Sequence, residues 1–447
     1  MTSDDISYKV TTIKEKAFAN CSLNSIEIPS SITKICSEAF SNGGVSSVKI
    51  KDLAAWCKIS FGSYFQTNPL TTASHLFLND EEIHDLVIPD SVTTIGDWQF
   101  YQFWGVTSVK IPSSVTSIGR ECFANCYRLK TVEIGDSTSQ EATTVLGMRA
   151  FYNCNNIDSI FLGNNVVEIV NNAFAYAKGV RNVVIPNSVK KMGSHAFLCC
   201  ENLESVQLSE NLKSIEWSSF NGCTSLKEIV IPDGVELLGE TAFGYCTNLT
   251  SVKLPENLKK LDWSVFSGCT SLTTIDIPDN THTIYICVFD GCSNLKTVTL
   301  GKSVRDIQTG AFANCTLLED LYCKAKTPPT CHTAWNNLYG KVIDSFYNSY
   351  AEYITLHVPA SAIDAYKKTA PWSGFGAIVA LPVLRGDAND DGEVNMSDVD
   401  YIVNYILGNS DEIFNAEAAD VNEDGKVSMP DAMFIVNKIL KAKFPDE

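Results

Sequence analysis

The sequence repeats itself with a fixed period, and this period sharply limits the folds available to the chain. A phenylalanine recurs every 23 residues through six consecutive units, at Phe197, Phe220, Phe243, Phe266, Phe289 and Phe312. A unit of this length is too small to bury its own apolar face and can do so only against its neighbours. The period therefore predicts a solenoid of stacked turns.

Two apolar patterns occur within each unit. Polar and apolar residues alternate from Ser251 to Leu254, which is the pattern of a short, half-buried strand. Phe243, Cys246 and Leu249 are instead spaced by three, which suits a tight turn on the opposite wall. We expect about thirteen units, with one strand from each in a parallel sheet on one face and with ladders of Phe, Cys and Leu inside.

The regular spacing is interrupted between Phe40 and Phe100. The extra length predicts an insertion at residues 51–90, with a helix-like LAAWCK and a hairpin-like pair, HLFL and IHDLVI, joined through Asn79 and Asp80. Insertions in solenoids project from one face and often carry binding sites. The alternative is a decoration that simply packs against the solenoid.

The repeat reads xxxAFxxCxxLxx, followed by a short apolar strand that often ends in proline. This pattern resembles the leucine-rich repeats of the BspA-like family, which is found on bacterial and some protist surfaces. The resemblance implies a leucine-rich repeat solenoid over residues 1–321. It also implies an adhesive or interaction role, because such proteins are generally binding scaffolds.

Residues 322–381 are predicted to be a terminating unit, because a solenoid needs an end cap to cover its last apolar face. They resemble the VPxxxxxAYKxxxxWxxF segment that often closes BspA-like proteins, with matches at Pro359, Tyr366, Trp372 and Phe375. We expect a strand at Ile354–Val358 and a short helix capped by Ser361. A linker at residues 382–385 follows.

Most of the sixteen cysteines are explained by the repeat. Nine of them follow a repeat phenylalanine by three residues, so we expect one small, buried thiol per turn, not a metal or redox site. The sequence has no CxxC pair of the kind that anchors zinc. Cys323 and Cys331 lie outside the repeat and could form a disulfide in an oxidising compartment.

Two segments near the end of the sequence, residues 387–398 and 420–431, fit the calcium-loop pattern, which has glycine at position 6 and oxygen ligands around it. The first loop offers Asp387, Asn389, Asp391, Glu393 through its carbonyl, Asn395 and Asp398. The second loop offers Asp420, Asn422, Asp424, Lys426 through its carbonyl, Ser428 and Asp431. Because all of these are hard oxygen donors, we expect two bound Ca²⁺ ions.

Each loop precedes a matching helical segment, DVDYIVNYIL or DAMFIVNKIL. Two such copies, without the entering helix of an EF-hand, resemble a type I dockerin at residues 386–447, which is a small all-α calcium-binding domain. The resemblance implies docking to a cohesin-type scaffold protein through loop positions 10 and 11. These positions hold Met396 with Ser397 and Met429 with Pro430, not the usual small hydroxyl pairs. The alternative is a calcium-stabilised structural cap.

The exposed positions of the predicted strands provide a second candidate surface. One exposed position in each unit carries mostly Ser or Thr, which pair well across neighbouring strands. The next exposed position holds Phe161, Val184 and Val230 in the middle of the array. This mildly apolar zone is our candidate site for a partner of the solenoid.

Charge and composition exclude several functions. The formal net charge is −18, of which residues 387–447 contribute −11 through 15 acidic residues and 4 lysines. This acidity argues against nucleic-acid binding and against an anionic membrane surface. No apolar run is long enough for a membrane span, and the start of the chain has no signal-peptide pattern, so we expect that a leader has been removed. No catalytic motif appears, and the chain is predicted not to be an enzyme.

These features together predict a secreted or bacterial cell-surface interaction protein. Its solenoid would bind a protein, cell or glycan target, and its calcium-loaded tail would dock to a cohesin-type scaffold. The alternative is a non-catalytic accessory component of a polysaccharide-degrading complex, in which the solenoid binds polysaccharide. Aromatic platforms would distinguish the two, and on the predicted strand face only Phe161 is aromatic.

Overall fold

The computed structural model describes residues 9–62, 67–73, 75–138, 143–336, 340–389, 392–409 and 414–443. Its main body is a parallel solenoid of about fifteen turns, where the sequence indicated thirteen. The longer strands lie side by side along one face, which we call the strand face. They are Ile26–Ile28, Ser47–Ile50, His75–Leu78, Asp85–Val87, Ser108–Ile111, Thr131–Ile134, Ser159–Leu162, Asn182–Val184, Ser205–Gln207, Glu228–Val230, Ser251–Lys253, Thr274–Ile277, Thr297–Leu300, Asp320–Cys323, Thr355–Val358 and Ala377–Ala380.

A second series of shorter strands precedes the phenylalanine in most turns, whereas the sequence pattern indicated one strand per unit. These strands are Thr12–Ile13, Lys34–Ile35, Ser60–Phe61, Thr94–Ile95, Ser117–Ile118, Thr144–Leu146, Val166–Ile169, Lys191–Met192, Ser214–Ile215, Leu237–Leu238, Lys260–Leu261, Thr283–Ile284, Asp306–Ile307 and Thr330–Cys331. They pair in parallel, as Ser214–Ile215 does with Leu237–Leu238. Most are only two residues long, which is too short for alternation to reveal them. Near the start of the solenoid, Ser22–Leu23 and Gly44–Val45 form a further parallel pair.

The phenylalanines form a continuous stack inside the solenoid. The rings of Phe220 and Phe243 are 5.5 Å apart at an interplanar angle of 4°, and those of Phe243 and Phe266 are 5.6 Å apart at 8°. All three side chains are fully buried. We call this stack the Phe ladder, and its spacing agrees with the offset packing that aromatic rings prefer.

The segment around each ladder phenylalanine forms what we call the turn wall, opposite the strand face. Its backbone amides donate to the next turn, so that Phe243 N–H bonds to Val265 O at 2.9 Å and Tyr245 N–H bonds to Ser267 O at 2.7 Å. The residues two before and two after the phenylalanine are left-handed, for example Thr241 at φ 52° and Tyr245 at φ 57°. Because this left-handed conformation recurs from turn to turn, the side chains at these two positions leave the backbone in the same direction in each turn.

The ladder cysteines are buried, as the repeat predicts, and they also donate hydrogen bonds. The Sγ of Cys246 donates to Phe220 O at 3.2 Å, and the Sγ of Cys269 donates to Phe243 O at 3.2 Å. Each thiol therefore satisfies a carbonyl of the preceding turn. This contact explains why a weakly polar residue suits the position better than a purely aliphatic one.

The segment predicted as an insertion joins the stack. A short helix, α1 at Leu53–Trp56, begins after Asp52, and a 3₁₀ turn covers Pro69–Thr71. The strand His75–Leu78 pairs in parallel with Ser47–Ile50, and so adds one turn that the count of phenylalanines missed. The buried residues of this segment belong to the same hydrophobic core as the rest of the solenoid, so this part of the segment packs into it.

The predicted hairpin through Asn79 and Asp80 is present, with both residues left-handed at φ 52° and 66°. Its second strand is only Glu81–Glu82, which pairs antiparallel with His75–Leu78. The rest of the expected second strand, at Asp85–Val87, instead pairs in parallel with the next turn. The hairpin is therefore shorter than the sequence pattern indicated.

The terminating unit extends the Phe ladder beyond the last regular repeat. Phe346 stacks on Phe312 at 5.4 Å although the segment between them is longer than a regular unit and contains an antiparallel hairpin of Ala334–Asn336 and Lys341–Ile343. Trp372 and Phe375 then meet the Phe346 ring edge-on at 5.7 and 5.3 Å. These two side chains close the apolar end of the solenoid.

One detail of this unit differs from the sequence-based expectations. The helix α2 spans Ile363–Lys368 and has Ala362 at its N-cap with no side-chain hydrogen bond, so the predicted cap by Ser361 is wrong. The reason is that a 3₁₀ turn at Ala360–Ala362 runs directly into the helix. Two further 3₁₀ turns cover Ala351–Tyr353 and Trp372–Gly374.

Cys323 and Cys331 are free thiols in the structure and do not form a disulfide. The Sγ of Cys323 lies 3.1 Å from the hydroxyl of Tyr366, which in turn donates to Ala325 O at 2.8 Å. These contacts bind the terminating unit to the last strands of the solenoid. The cysteine therefore contributes through a hydrogen bond in a buried position.

The described residues of the tail contain three helices, α3 at Met396–Ile406, α4 at Ala416–Ala419 and α5 at Met429–Lys443. The helix α3 begins with a capping box between Asn395 and Asp398. Ile402 and Ile435 lie at equivalent positions of the two loop-helix copies, and both are fully buried in the small core between α3 and α5. Among the described residues, no helix combines the length and the apolarity that a bilayer crossing requires.

The buried thiols predict that the solenoid loses stability at alkaline pH. Burial raises the pKa of Cys57, Cys246 and Cys331 to about 12 from an ordinary value of 9.0. A raised folded-state pKa contributes stability that is complete below pH 9.0 and is lost as the pH rises through about 12. We expect a free energy of unfolding, measured by urea titration, that is steady near neutral pH and falls above pH 9.0, by about 1.4 kcal/mol per pH unit for each such thiol.

The matched control is Cys246→Ala, measured over the same pH series. This variant starts from a lower stability because it loses packing, but its loss between neutral and alkaline pH should be smaller by the share of one thiol. Equal alkaline slopes in the two proteins would contradict the assignment to Cys246.

Candidate calcium and partner-binding sites

The second predicted calcium loop is organised around Asp431, at loop position 12. Its carboxylate is buried and accepts hydrogen bonds from the backbone N–H groups of Val421, Asn422 and Ser428 at 3.0, 3.2 and 2.9 Å. Asp431 thereby joins the two ends of the loop. It also begins α5, where a carboxylate is stabilised by the helix N-terminus.

The opposite side of the same loop is organised around Asp420, at position 1. Its carboxylate accepts from Asp424 N at 3.0 Å and from Gly425 N at 2.8 Å. Gly425 has φ 83°, a left-handed conformation that lets the chain reverse sharply at loop position 6. The side chains of the first and last ligand positions therefore both face into the loop.

The first loop repeats these contacts. The carboxylate of Asp398 is buried and accepts from Asn389 N at 3.2 Å and from Asn395 N at 2.8 Å. That of Asp387 accepts from Gly392 N at 2.8 Å, and Gly392 has φ 87°. The two loops thus share one backbone scaffold despite their different sequences.

The donor sets fit Ca²⁺. Every side-chain donor is an oxygen, and a carboxylate oxygen that accepts one N–H group, as each oxygen of Asp420 does, retains a lone pair for an ion. Asp391, expected at position 5 of the first loop, lies outside the described residues, whereas its counterpart Asp424 accepts from Lys426 N at 2.9 Å. In the described part of the chain, no three Asp, Glu, His or Cys residues cluster closely enough to hold a metal. Binding would therefore also need the amide, hydroxyl and carbonyl oxygens.

The two loops differ in their surroundings. Asp387 and Asn389 of the first loop are buried, whereas Asn422 and Asp424 of the second are exposed. The Nζ of Lys326 donates to Asn389 O at 3.4 Å, and the Nζ of Lys302 lies 3.9 Å from a carboxylate oxygen of Glu393. The last turns of the solenoid therefore cover part of the first loop.

A cavity of about 770 Å³ lies beside this contact. Val304, Tyr322 and Leu381 line it from the solenoid, and Asp387 and Asn415 line it from the tail. Because its walls include a predicted calcium ligand, we assign the cavity to the junction between solenoid and tail.

The predicted docking positions of the tail lie on the surface. Met396 and Met429 are about half exposed, Pro430 is exposed and Ser397 is partly buried. Sequence reasoning missed Met433, which is also exposed and stands one helical turn after Met429 on α5. A comparison of the two loop-helix copies would have revealed Met433, because the equivalent residue of α3 is the charged Asp400, which marks the position as exposed.

The structure places Phe161, Val184 and Val230 on the strand face, and all three are exposed. Val184 pairs across the sheet with Gln207. The polar side chain of Gln207 therefore separates Val184 from Val230. Phe161 pairs on its other side with Glu133. The apolar zone is therefore confined to Phe161 and Val184, with Val230 apart from it.

Sequence reasoning also missed exposed aromatic residues on the turn wall. Trp217, Tyr245 and Trp263 are 51%, 59% and 47% exposed and lie in three consecutive turns. Each tryptophan precedes its ladder phenylalanine by three residues. A comparison of the repeats at this one position would have revealed them, because the other units carry varied residues there.

Comparisons with known proteins assign both parts of the chain. The model of the BspA type leucine rich repeat region matches residues 1–76, 70–143, 144–240 and 218–328. The model of the dockerin type I domain matches residues 385–440, and calcium binding is typical of that family. No curated protein matches the chain.

Several solved bacterial structures resemble the chain. A leucine-rich repeat protein from Bacteroides ovatus is 24% identical, with 72% of this chain and 84% of that chain covered and a TM-score of 0.43. One from Eubacterium ventriosum is 23% identical, covering 69% and 75%, with a TM-score of 0.41. A leucine-rich cell surface protein from Faecalibacterium prausnitzii is 24% identical, covering 54% and 88%, with a TM-score of 0.31.

Proposed function

Since the chain belongs to the BspA-type leucine-rich repeat family and ends in a type I dockerin domain, we propose that it is a secreted or surface-displayed, non-catalytic interaction protein with two binding ends. The tail docks to a cohesin-type scaffold protein, and the solenoid binds the target. Both families are typically non-catalytic, which supports this division of roles.

The single observation that carries the proposal is the matched pair of calcium loops, each leading into a helix with an exposed first turn. In both loops the position-12 aspartate accepts backbone hydrogen bonds from the two ends of its loop, at distances of 2.8 to 3.2 Å. The exposed Met396 and Met429 lie only two residues before these aspartates. An ordered loop would therefore hold the neighbouring exposed methionine in the position where a partner would contact it.

The chain's own residues explain why docking would depend on calcium. Each short loop carries several carboxylates, and like charges repel one another. Bound Ca²⁺ would offset this repulsion through the oxygen ligands named above. The loop backbone would then hold the first turns of α3 and α5 in place. We propose one ion per loop, which gives two for the tail.

The α5 side offers the better docking surface. Met429 and Met433 are both exposed and lie on one side of this helix. At the equivalent positions α3 has Met396 and Asp400. A continuous apolar pair makes a stronger contact than a pair that ends in a charge, because a carboxylate must be desolvated on binding.

The test uses the full chain and immobilised recombinant cohesin modules, with calcium or with a chelator. We expect capture only with calcium, and a loss of affinity of about tenfold or more in the double variant Met429→Asp with Met433→Asp. The matched control is Met396→Asp, which alters the equivalent position of α3 and should retain most of the affinity.

If no cohesin module captures the wild-type chain while calorimetry shows that both loops bind calcium, the tail is only a structural cap. If Met396→Asp abolishes capture and the α5 variant does not, docking occurs through α3 instead.

A second candidate is an accessory role in a polysaccharide-degrading complex, with the solenoid holding polysaccharide. The observation that favours it is the set of exposed aromatic residues on the turn wall, since the strand face presents only Phe161 in its mid-array zone. The two candidates share the docking tail and differ only in the target of the solenoid.

A further inference from the structure

The turn wall carries a group of aromatic side chains that folding does not require. Phe220, Phe243 and Phe266 already fill the interior of their turns. Trp217, Tyr245 and Trp263 lie on the outside of the same three turns and are about half exposed. Large aromatic residues left in water across successive turns are characteristic of a binding surface.

The backbone places the two tryptophans in one column. Ser218 N–H donates to Glu240 O at 2.9 Å, and Thr241 N–H donates to Trp263 O at 2.9 Å. These bonds link equivalent positions of neighbouring turns, so the order along the column is Trp217, Glu240, Trp263. An acidic side chain thus separates two indole rings.

The spacing of the column follows from the Phe ladder. Its rings are 5.5 Å and 5.6 Å apart over the same two steps, which gives about 11 Å between the positions of Trp217 and Trp263. This separation exceeds the 4.5 to 7 Å range, roughly, at which aromatic rings pack on one another. Each indole is therefore available as a separate flat platform.

The surroundings orient these platforms and leave room for a ligand. The ring of His195, in the preceding turn, contacts the indole of Trp217 edge-on at 4.7 Å. Tyr245 has glycine at the equivalent position of both neighbouring turns, Gly222 and Gly268. A Cβ at Gly268 would stand only 2.8 Å from Cδ1 of Tyr245, so the tyrosine ring extends over the next turn.

The polar groups between the platforms are acceptors and hydroxyls. Glu240 is exposed, and no side-chain hydrogen bond to its carboxylate occurs among the described residues. The hydroxyls of Ser218 and Thr241 are hydrogen bonded to each other at 2.6 Å and Ser218 is buried, so the carboxylate of Glu240 is the exposed polar group of the column. Flat apolar platforms bind the C–H faces of sugar rings, while carboxylates and hydroxyls bind sugar hydroxyls.

Charge and spacing indicate one class of occupant. The exposed carboxylate of Glu240 lies between the two indoles and disfavours a polyanion such as a nucleic acid or an acidic glycan, whereas Asp262 is paired with Lys260 at 2.9 Å. Protein hot spots usually cluster in one desolvated centre, whereas here Glu240 separates the aromatic rings. Two residues of an extended β-1,4-linked glycan span a length similar to the spacing of the two tryptophans.

We propose that Trp217, Glu240 and Trp263 form a binding site for a neutral, extended β-1,4-linked polysaccharide. Alternate sugar rings stack on the two indoles, and the intervening hydroxyl groups donate to Glu240. This inference rests on the proposed function in one respect, because it takes the solenoid to be the end that binds the target.

The test is affinity gel electrophoresis of the full chain through gels that contain hydroxyethylcellulose, glucomannan or xylan. We expect at least one of these glycans to retard the wild type. Trp217→Ala and Trp263→Ala should each weaken the interaction by about tenfold, and the double variant should migrate as it does without glycan. The matched control is Tyr353→Ala, which removes an exposed aromatic ring from the terminating unit and should leave retardation unchanged.

Three results would overturn the inference: no retardation of the wild type by any of the three glycans, retardation that survives in the double tryptophan variant, or equal loss in Tyr353→Ala. Urea unfolding of each variant verifies that it is folded. Cohesin capture is measured on the same preparations. Capture without glycan retardation refutes this inference alone, and retardation without capture refutes the docking proposal alone.

Discussion

Replacement of Phe243 by alanine is expected to lower the unfolding free energy by about 3 to 5 kcal/mol. The Phe243 ring is fully buried and stacks on both neighbours, at 5.5 Å and 5.6 Å. Its removal loses apolar burial and also leaves a gap that the adjacent rings cannot fill, because the backbone of each turn is hydrogen bonded to the next. The measurement is the urea midpoint, followed by circular dichroism.

The matched control is Phe161→Ala. This ring lies on the strand face and is 41% exposed, so its removal should change the unfolding free energy by about 1 kcal/mol or less. Equal destabilisation in the two variants would mean that the Phe ladder is not the main source of stability at this point of the solenoid.

Asp431→Ala is expected to reduce the calcium stoichiometry of the chain from two ions to one. The substitution removes a proposed ligand and also leaves the N–H groups of Val421, Asn422 and Ser428 without their acceptor. Loss of the second ion should also disorder the start of α5 and so abolish cohesin capture in the proposed docking mode. Isothermal titration calorimetry gives the stoichiometry, and capture on immobilised cohesin gives the consequence.

Two further variants make this result specific. Asp400→Asn changes an exposed aspartate of α3 outside the loops, and it should retain both ions. Asp398→Ala removes the equivalent residue of the first loop, and it should also leave one ion. Full stoichiometry in Asp431→Ala would show that the second loop does not hold calcium through this carboxylate.

The repeating core could be predicted from the sequence because each unit buries the same residue types at the same positions. The phenylalanines that defined the period all lie inside the solenoid, and the cysteines three residues later are buried beside them. Phe346 escaped the prediction because a hairpin lies between it and Phe312 and moves it out of the regular spacing. The strand His75–Leu78 was predicted as part of a hairpin, but its parallel pairing as a further turn of the solenoid was missed because no phenylalanine marks that turn.

Surface sites were harder to predict, because solubility and folding leave such positions free to vary. The calcium-loop pattern was recognisable, because ligand chemistry fixes residue types at fixed spacing, and the dockerin match covers it, while the individual ligands stay a prediction. Trp217 and Trp263 follow no motif of this kind, and only their exposure shows that they are not part of the core. The partial burial of the first loop depends on Lys302 and Lys326, which are distant in sequence from the residues that they contact.

The Phe ladder has a further consequence for how such a chain can change. Phe123 and Phe151 stack at 5.1 Å, and Phe312 and Phe346 stack at 5.4 Å, although the segment between the two rings of each pair is longer than a regular unit. Loop length is therefore uncoupled from the stacking of the turns. Unequal recombination between repeats could add or remove whole turns and so alter the length of the solenoid. The exposed tryptophans Trp217 and Trp263 and the tail would be inherited unchanged.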